Sequence, residues 1–173
     1  MISLQPFTPL DFERLIAWTT SEELMLQYAG RNFTFPLTVE QLEIYLQDEN
    51  RFAFKVVDDT NNKVVGHCEY FISGNTSKIG RVLIGDEADR GKGFGGQIIR
   101  QLLKHSFEHP AIIITELNVY DWNTTAIKCY ERVGFSINPN KKFEHVVNGK
   151  TWTVINMIMH KKQLSDNDKR NLS

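Results

Sequence analysis

Val82-Leu83-Ile84-Gly85-Asp86-Glu87-Ala88-Asp89-Arg90-Gly91-Lys92-Gly93-Phe94-Gly95-Gly96 runs from an apolar strand-like triplet, through a polar lead-in, into a glycine-rich turn. Phe94, Ile98, Leu102 and Leu103 then lay an apolar stripe at helical spacing. Glycine lets backbone approach a ligand closely, and the unpaired N–H groups of a helix start point at anions. Arg90 and Lys92 add positive charge at the same place. Glycine enrichment alone describes a flexible connector. Four glycines with two cations describe an anion-binding turn.

Outward from this turn, the two flanks differ in period. On the N-terminal side, Ile2 to Phe7 alternate as a strand, and Thr8-Pro9-Leu10-Asp11 opens a helix in which Leu10, Arg14, Leu15 and Trp18 follow helical spacing. Ser21 starts a second helix to about Tyr28, Gly30 to Pro36 form a loop, and Thr38 starts a third over Val39–Leu46 with Gln41 at the capping-box position. Phe52–Val57, Lys63–Ile72 and Lys78–Ile84 read as strands split by Asp58–Asn62 and Gly74-Asn75, which predicts an antiparallel meander. On the C-terminal side, Ala111–Tyr120 reads as a buried strand with Ile112, Ile113 and Ile114 in a row. Asn123–Val133 is a helix capped by Asn123 and ended by Gly134. Phe135–Ile137 and Trp152–His160 close the chain as strands, with Asn148-Gly149 as a hairpin turn. The expected fold is α+β: a mixed sheet of six or seven strands carrying helices on both faces. The expected organisation is a single domain over residues 1–162 and a polar tail over 163–173.

The identity of the anion depends on this context. Gly91, Gly93 and Gly96 satisfy G-x-G-x-x-G, and Glu116 lies near the separation of a ribose-binding acid. A dinucleotide turn follows its strand directly, however, and opens a βαβ unit. Here Asp86 to Arg90 intervene, a meander comes first, and too little chain follows for a doubly wound sheet. Arg90-Gly91-Lys92-Gly93-Phe94-Gly95 instead matches (Gln/Arg)-x-x-Gly-x-(Gly/Ala), the coenzyme A motif of the GCN5-related N-acetyltransferases (GNAT). Leu117-Asn118-Val119, followed by Asn123 to Phe135, resembles the strand and the N-x-x-A-x-x-x-Y-x-x-x-G-F segment of the same family, with Ala126 and Tyr130 at the matching positions. The resemblance spans residues 2–160. Its N-terminal half is similar to the subgroup that acetylates ribosomal-protein N-termini (RimJ/RimL-type).

That resemblance implies a GNAT fold with a V-shaped splay between the fourth and fifth strands, and acetyl-CoA as co-substrate. Backbone groups of Val82, Leu83 and Ile84 would bond the pantetheine arm and polarise the thioester carbonyl. N–H groups of Gly91, Lys92, Gly93, Phe94, Gly95 and Gly96 would hold the pyrophosphate, assisted by Arg90 and Lys92. Asn118, Asn123, Ala126 and Tyr130 would complete the cofactor contacts. The implied reaction is direct attack of a primary amine through a tetrahedral oxyanion, which calls for a neutral amine, oxyanion donors and a proton for the leaving sulfur. Tyr130 is the candidate acid for that proton, against a plain reading as an aromatic packed beside Ile127. Glu69 and Glu116 are candidate bases, against a plain reading as solvent-facing strand residues, and water-mediated deprotonation without a single base is the alternative. Alternation places Glu69 with His67 and Phe71, so an ionisable group on this central strand demands a partner.

The acceptor is expected beside the N-terminal helices, where Trp18, Tyr28, Phe33 and Phe35 could line an entrance with Trp152; for Trp18 and Tyr28 the core is the competing expectation. An amine or a protein N-terminus would be the acceptor, and a homodimer is implied by resemblance alone. A non-catalytic acyl-CoA-binding sensor is the second function, and retention of Asn123 and Tyr130 favours the enzyme. Composition sets outer bounds. Hydrophobic residues make up 41% of the chain and charged residues 24%, which fits a globular domain. A formal charge of −1 gives no electrostatic reason to expect nucleic acid or membrane as partner. Cys68 and Cys129 read as buried free thiols, and the N-terminus lacks a basic-then-apolar leader, so the expected compartment is the cytoplasm. The five histidines show no metal-ligand spacing, and no metal is expected.

Overall fold

A computed structural model describes residues 1–163 of the chain. Apart from Gln163, the expected polar tail lies outside the described residues. The chain runs β1 (Ile2–Pro6), a 3-10 turn (Pro9–Asp11), α1 (Phe12–Trp18), α2 (Glu22–Ala29), α3 (Val39–Leu46), β2 (Arg51–Asp58), β3 (Lys63–Ser73) and β4 (Thr76–Ile84). It continues with α4 (Phe94–Glu108), β5 (Ile114–Tyr120), α5 (Thr124–Val133), β6 (Ser136–Val147) and β7 (Lys150–His160). The seven strands form one mixed sheet in the order β1-β2-β3-β4-β5-β7-β6. No helix among the described residues is long and apolar enough to cross a membrane.

The chain forms two compact units, Met1–Phe71 with Gly80–Ile98, and Ile72–Ile79 with Ile99 onward. The first holds an apolar cluster that includes Phe7, Phe12, Leu15, Met25, Leu42 and Leu83. Burying each such side chain contributes about 1.5–3 kcal/mol. β1 and β2 pair antiparallel from Ile2↔Asp58 to Pro6↔Phe54. β2 and β3 pair antiparallel from Arg51↔Phe71 to Asp58↔Lys63, with a register shift at Val56/Val57. Only glycine fits at position 66, because a Cβ there would lie 2.3 Å from the Leu83 carbonyl oxygen. Ser21 and Thr38 cap their helices, accepting the N–H groups of Leu24 and Gln41.

In the second unit, β5 pairs parallel with β4 from Thr76↔Ile114 to Ile79↔Leu117, although β4 continues to Ile84 and β5 to Tyr120. β5 and β7 pair antiparallel along the whole of β5. Ile99, Leu102, Leu103, Ile112 and Met157 are fully buried. Asn148 and Gly149 both adopt positive φ, +49° and +74°, the requirement of a tight two-residue hairpin of the twist-matched type.

Four local expectations change. Asp11, not an open helix start, organises the first turn: its buried carboxylate accepts from the Thr8 N–H and hydroxyl at 3.1 Å, and Leu10 is left 91% exposed. The Gln41 side chain does not close a capping box; it accepts from Thr34 N–H and donates to the Thr34 and Pro36 carbonyls, tying down the preceding loop. β5 starts at Ile114 and not at Ala111, because Ile113 is half exposed and its N–H bonds the Asn75 carbonyl. β6 extends to Val147 through an irregularity between Ile137 and Lys142, which broke the expected alternation.

Candidate active site

The glycine-rich turn is built on fixed charges. β4 ends at Ile84, and at Gly85 an added Cβ would fall 2.0 Å from the Trp18 ring, so Trp18 packs directly on backbone. The chain then makes a 3-10 turn, Glu87–Asp89, whose acids hold the turn together. Asp89 is buried and bridges two lysines, accepting from Lys63 at 2.8 Å and Lys92 at 2.7 Å. Lys63 also meets Asp86 at 2.7 Å. Lys63 holds the Asp86 carboxyl below its ordinary range, and Lys63 with Lys92 does the same for Asp89. Arg90 donates to the Gly85 carbonyl at 3.4 Å.

Gly91 and Gly93 follow with φ of +77° and +81°, values that L side chains seldom adopt. A Cβ added at Gly91, Gly93 or Gly95 would meet nothing within 4 Å. α4 begins at Phe94. The turn therefore offers uncovered backbone at the start of a 15-residue helix, which is the arrangement an anionic ligand needs.

Glu69 is not solvent-facing. It is 3% exposed, and its oxygens accept from Arg51 at 2.8 and 2.9 Å, from the Tyr45 hydroxyl at 2.5 Å, and from Arg81. The Arg81 guanidinium lies 4.8 Å from the Phe33 ring centroid and 4.9 Å from that of Tyr45. Arg81 adopts φ +47°, a conformation that costs a non-glycine residue about 1–2 kcal/mol. His67, on the same face of β3, is fully buried; its Nδ1 lies 2.8 Å from the Tyr28 hydroxyl and its Nε2 3.4 Å from that of Tyr45. His67 Nδ1 also lies 3.3 Å from the Arg81 carbonyl oxygen, so this one nitrogen faces both the Tyr28 hydroxyl and an acceptor on β4, and the tautomer decides which of them it serves. Burial drives the His67 pKa down to about 4 against the pull of Glu69, and burial pushes the Tyr28 and Tyr45 phenols up.

Of the expected acceptor-lining residues, Tyr28 and Phe33 are core, Trp18 is half-buried against Gly85, and Phe35 alone is exposed, at 45%. Arg81, Arg51 and Tyr45 were not among the expected site residues. Arg81 was detectable: it shares strand parity with Ile79 and Leu83, which marks an arginine pointing inward.

In the second unit, Asn123 caps α5, its Oδ1 accepting from Ala126 N–H at 3.2 Å. Gly134 ends the helix at φ +116°, and Gly134 and Phe135 N–H both return to the Tyr130 carbonyl. Tyr130 lies 6.4 Å from Phe135 between ring centroids, and desolvation, assisted by Cys129, pushes its phenol up to about 12. Glu116 accepts from Lys141 at 2.9 and 2.8 Å, and from Asn156 at 3.4 Å. Asn118 is exposed and its side-chain amide meets that of Asn156 at 2.9 Å.

A strand, a charge-braced turn and a helix opening on positive-φ glycines carry the acetyltransferase motif on the expected elements. The sequence model of the acetyltransferase (GNAT) family matches residues 17–135. The chain belongs to this family. A prophage-derived, uncharacterized N-acetyltransferase of Bacillus subtilis strain 168, YokL, is 33% identical over 105 residues. That match spans 58% of this chain and 59% of the relative, so less than two-thirds of the relative is covered. The spermidine N-acetyltransferase of Vibrio cholerae, solved with CoA and spermine, superposes with a TM-score of 0.79 at 21% identity, over 94% of this chain and 96% of that one. The aminoglycoside acetyltransferase AAC(6')-Ib, solved with coenzyme A and kanamycin, gives a TM-score of 0.74 at 18% identity over the whole of both chains. At these identities the two likenesses show the fold, a GNAT fold.

Proposed function

We propose that the chain is an acetyl-CoA-dependent N-acetyltransferase acting on a primary amine. The observation that carries this reading is the Arg90–Gly96 turn, where Gly91 and Gly93 at positive φ leave backbone uncovered at the start of α4 in a chain of this family. Its N–H groups, with Arg90 and Lys92, would hold the pyrophosphate. Lys92 already has a partner in Asp89, so it serves the anion by exchanging or sharing that contact. Backbone of Val82–Ile84 would bond the pantetheine arm. Asn118, Asn123 and Ala126 are proposed cofactor contacts by motif. The Asn123 oxygen is committed to its cap, which leaves only its amide group for that role.

The amine nitrogen attacks the thioester carbonyl, a C–N bond forms, and the C–S bond breaks on collapse of the oxyanion. Tyr130 gives its proton to the departing thiolate and regains one from solvent. Its raised pKa keeps it protonated until then, so proximity must drive the transfer. We offer neither Glu69 nor Glu116 as the base, since the oxygens of each already accept from cations. The amine proton leaves through water. Replacing Tyr130 with Phe is expected to lower turnover at least tenfold with CoA affinity unchanged; equal turnover would remove its role.

The two solved relatives named above bind spermine and kanamycin, both polycationic amines, which supports a small polyamine-like acceptor here over a ribosomal-protein N-terminus. We place the reaction in the cytoplasm, where Cys68 and Cys129 stay free thiols. The test is release of CoA thiol from acetyl-CoA with spermidine, spermine, kanamycin and an N-terminal peptide as acceptors. Turnover on a polyamine is expected. Stabilisation by CoA with no turnover on any amine would favour the acyl-CoA sensor, and stabilisation by NAD(P) but not CoA would overturn the cofactor assignment.

A further inference from the structure

β4 changes character between Ile79 and Val82. Up to Ile79 it keeps its parallel ladder with β5; Gly80 and Arg81 follow, and Arg81 sits at φ +47°. A glycine would adopt that backbone freely, yet the position carries a long side chain with only 8% exposure. The unusual backbone is held at its carbonyl, 3.3 Å from His67 Nδ1, and through the side chain. Arg81 donates to Glu69 and lies between the Phe33 and Tyr45 rings. Glu69 is fixed in turn by Tyr45 and Arg51, and Arg51 is tied to Asp48 at 3.1 Å. The same carboxylate abuts the neighbouring residue: a Cβ at Gly80 would come within 3.3 Å of Glu69 Oε1. Glu69 thus bonds Arg81 and leaves little room for a side chain at position 80.

We infer that Glu69 is a positioning residue, which through Arg81 holds β4 in its left-handed turn and so aims the backbone N–H groups of Val82–Ile84. This rests on the acetyl-CoA reading, because those groups are the ones proposed to bond the pantetheine arm. Glu69 touches neither cofactor nor acceptor in this role. Without it, Arg81 relaxes toward negative φ and the segment after it turns, while the pyrophosphate turn, braced separately by Asp89 with Lys63 and Lys92, keeps its form.

The test compares two ligands by calorimetry: acetyl-CoA, and adenosine 3′-phosphate 5′-diphosphate, which keeps the pyrophosphate and lacks the arm. Glu69→Gln is expected to weaken acetyl-CoA binding about tenfold and leave the arm-less nucleotide within twofold of wild type. Adding Arg81→Gly is expected to recover part of the loss, since glycine accepts the turn without a clamp. A residue that served only core stability would give the opposite result, because the second substitution opens a cavity between Phe33 and Tyr45. Equal weakening of both ligands, no weakening, or a double variant worse than the single would overturn the inference.

Two further cases are covered. If Glu69→Gln does not fold, Arg81→Ala alone, which removes the clamp but keeps a residue that disfavours positive φ, is measured by amide hydrogen exchange. Faster exchange at Val82–Ile84 than in wild type is expected, and unchanged exchange would sink the clamp. If wild type binds no acetyl-CoA, the functional reading fails, and the same exchange comparison still judges the clamp.

Discussion

The carboxylate of Glu69 lies among two guanidinium groups, a phenol and flanking aromatic rings, whereas that of Glu116 meets one lysine and one amide. Their exposures differ accordingly. The Glu69 side chain is 4% exposed, with Arg81 at 7% and Arg51 at 17%; Glu116 is 14% exposed, and Lys141 is 39% exposed. Arginine presents a planar fork that can bond a carboxylate while its face rests on aromatic rings, and lysine presents a hydrated point charge on a flexible stem. Both acids are paired, but only one pair is shielded from solvent. A desolvated pair gains little net energy when made and costs much when half of it is removed. A solvated pair is weak in both directions. The first arrangement therefore fixes geometry, and the second tunes a surface.

The largest expected effect follows from that contrast. Glu69→Ala leaves Arg81 and Arg51 buried without their shared counter-ion, and should cost about 3–5 kcal/mol by urea unfolding. A loss below about 1 kcal/mol would erase the distinction between the two carboxylates. A second effect is set by the neighbouring imidazole. The unfolded His67 takes up a proton near pH 6.5, and the folded one only near 4, because burial outweighs the attraction of Glu69. Below pH 6.5 the unfolded chain binds more protons, so stability falls as the pH drops toward 4. The whole shift corresponds to about 3 kcal/mol, of which about 2 kcal/mol is lost between pH 6.5 and 5, above the range where most carboxylates titrate. Urea midpoints across that window measure it, and a flat profile would mean that His67 charges in the folded state.

These two groups also show what could be read in advance. Period-2 alternation placed Glu69 and His67 on one face of β3, and the cost of a buried charge required a partner for Glu69. The glycine turn, the Asn123 cap and the Gly134 stop were legible because each is a local rule acting within a few residues. The partners were not legible, since Arg51, Arg81 and Tyr45 come from three other elements, and pairing across elements leaves no mark at any fixed spacing. For the same reason the acids Asp86 and Asp89 read as an obstacle to the dinucleotide pattern, when their function is to brace the turn through Lys63, 23 and 26 positions earlier in the chain. Phe33 reads as an acceptor entrance because a loop aromatic looks alike whether it faces a ligand or an arginine, whereas for Tyr28 the core is already the competing expectation, and its hydroxyl meets His67. The length of β6 was hidden by its own irregularity at Ile137/Lys142, where alternation fails.

The smallest expected effect closes the contrast from the solvated side. Lys141 is more than one-third exposed, so its pairing with Glu116 is screened by water and salt. Glu116→Gln keeps the shape and an acceptor oxygen for Asn156, and should change stability by less than about 1 kcal/mol. Raising the salt to about 1 M, where the screening length is roughly 3 Å, should shrink even that difference. The same salt series on Glu69→Ala should leave its larger loss nearly intact, because ions do not reach a side chain that is 4% exposed. If the two variants respond to salt alike, Glu69 is reached by solvent in the working protein, and its claim to fix the backbone of β4 weakens with it.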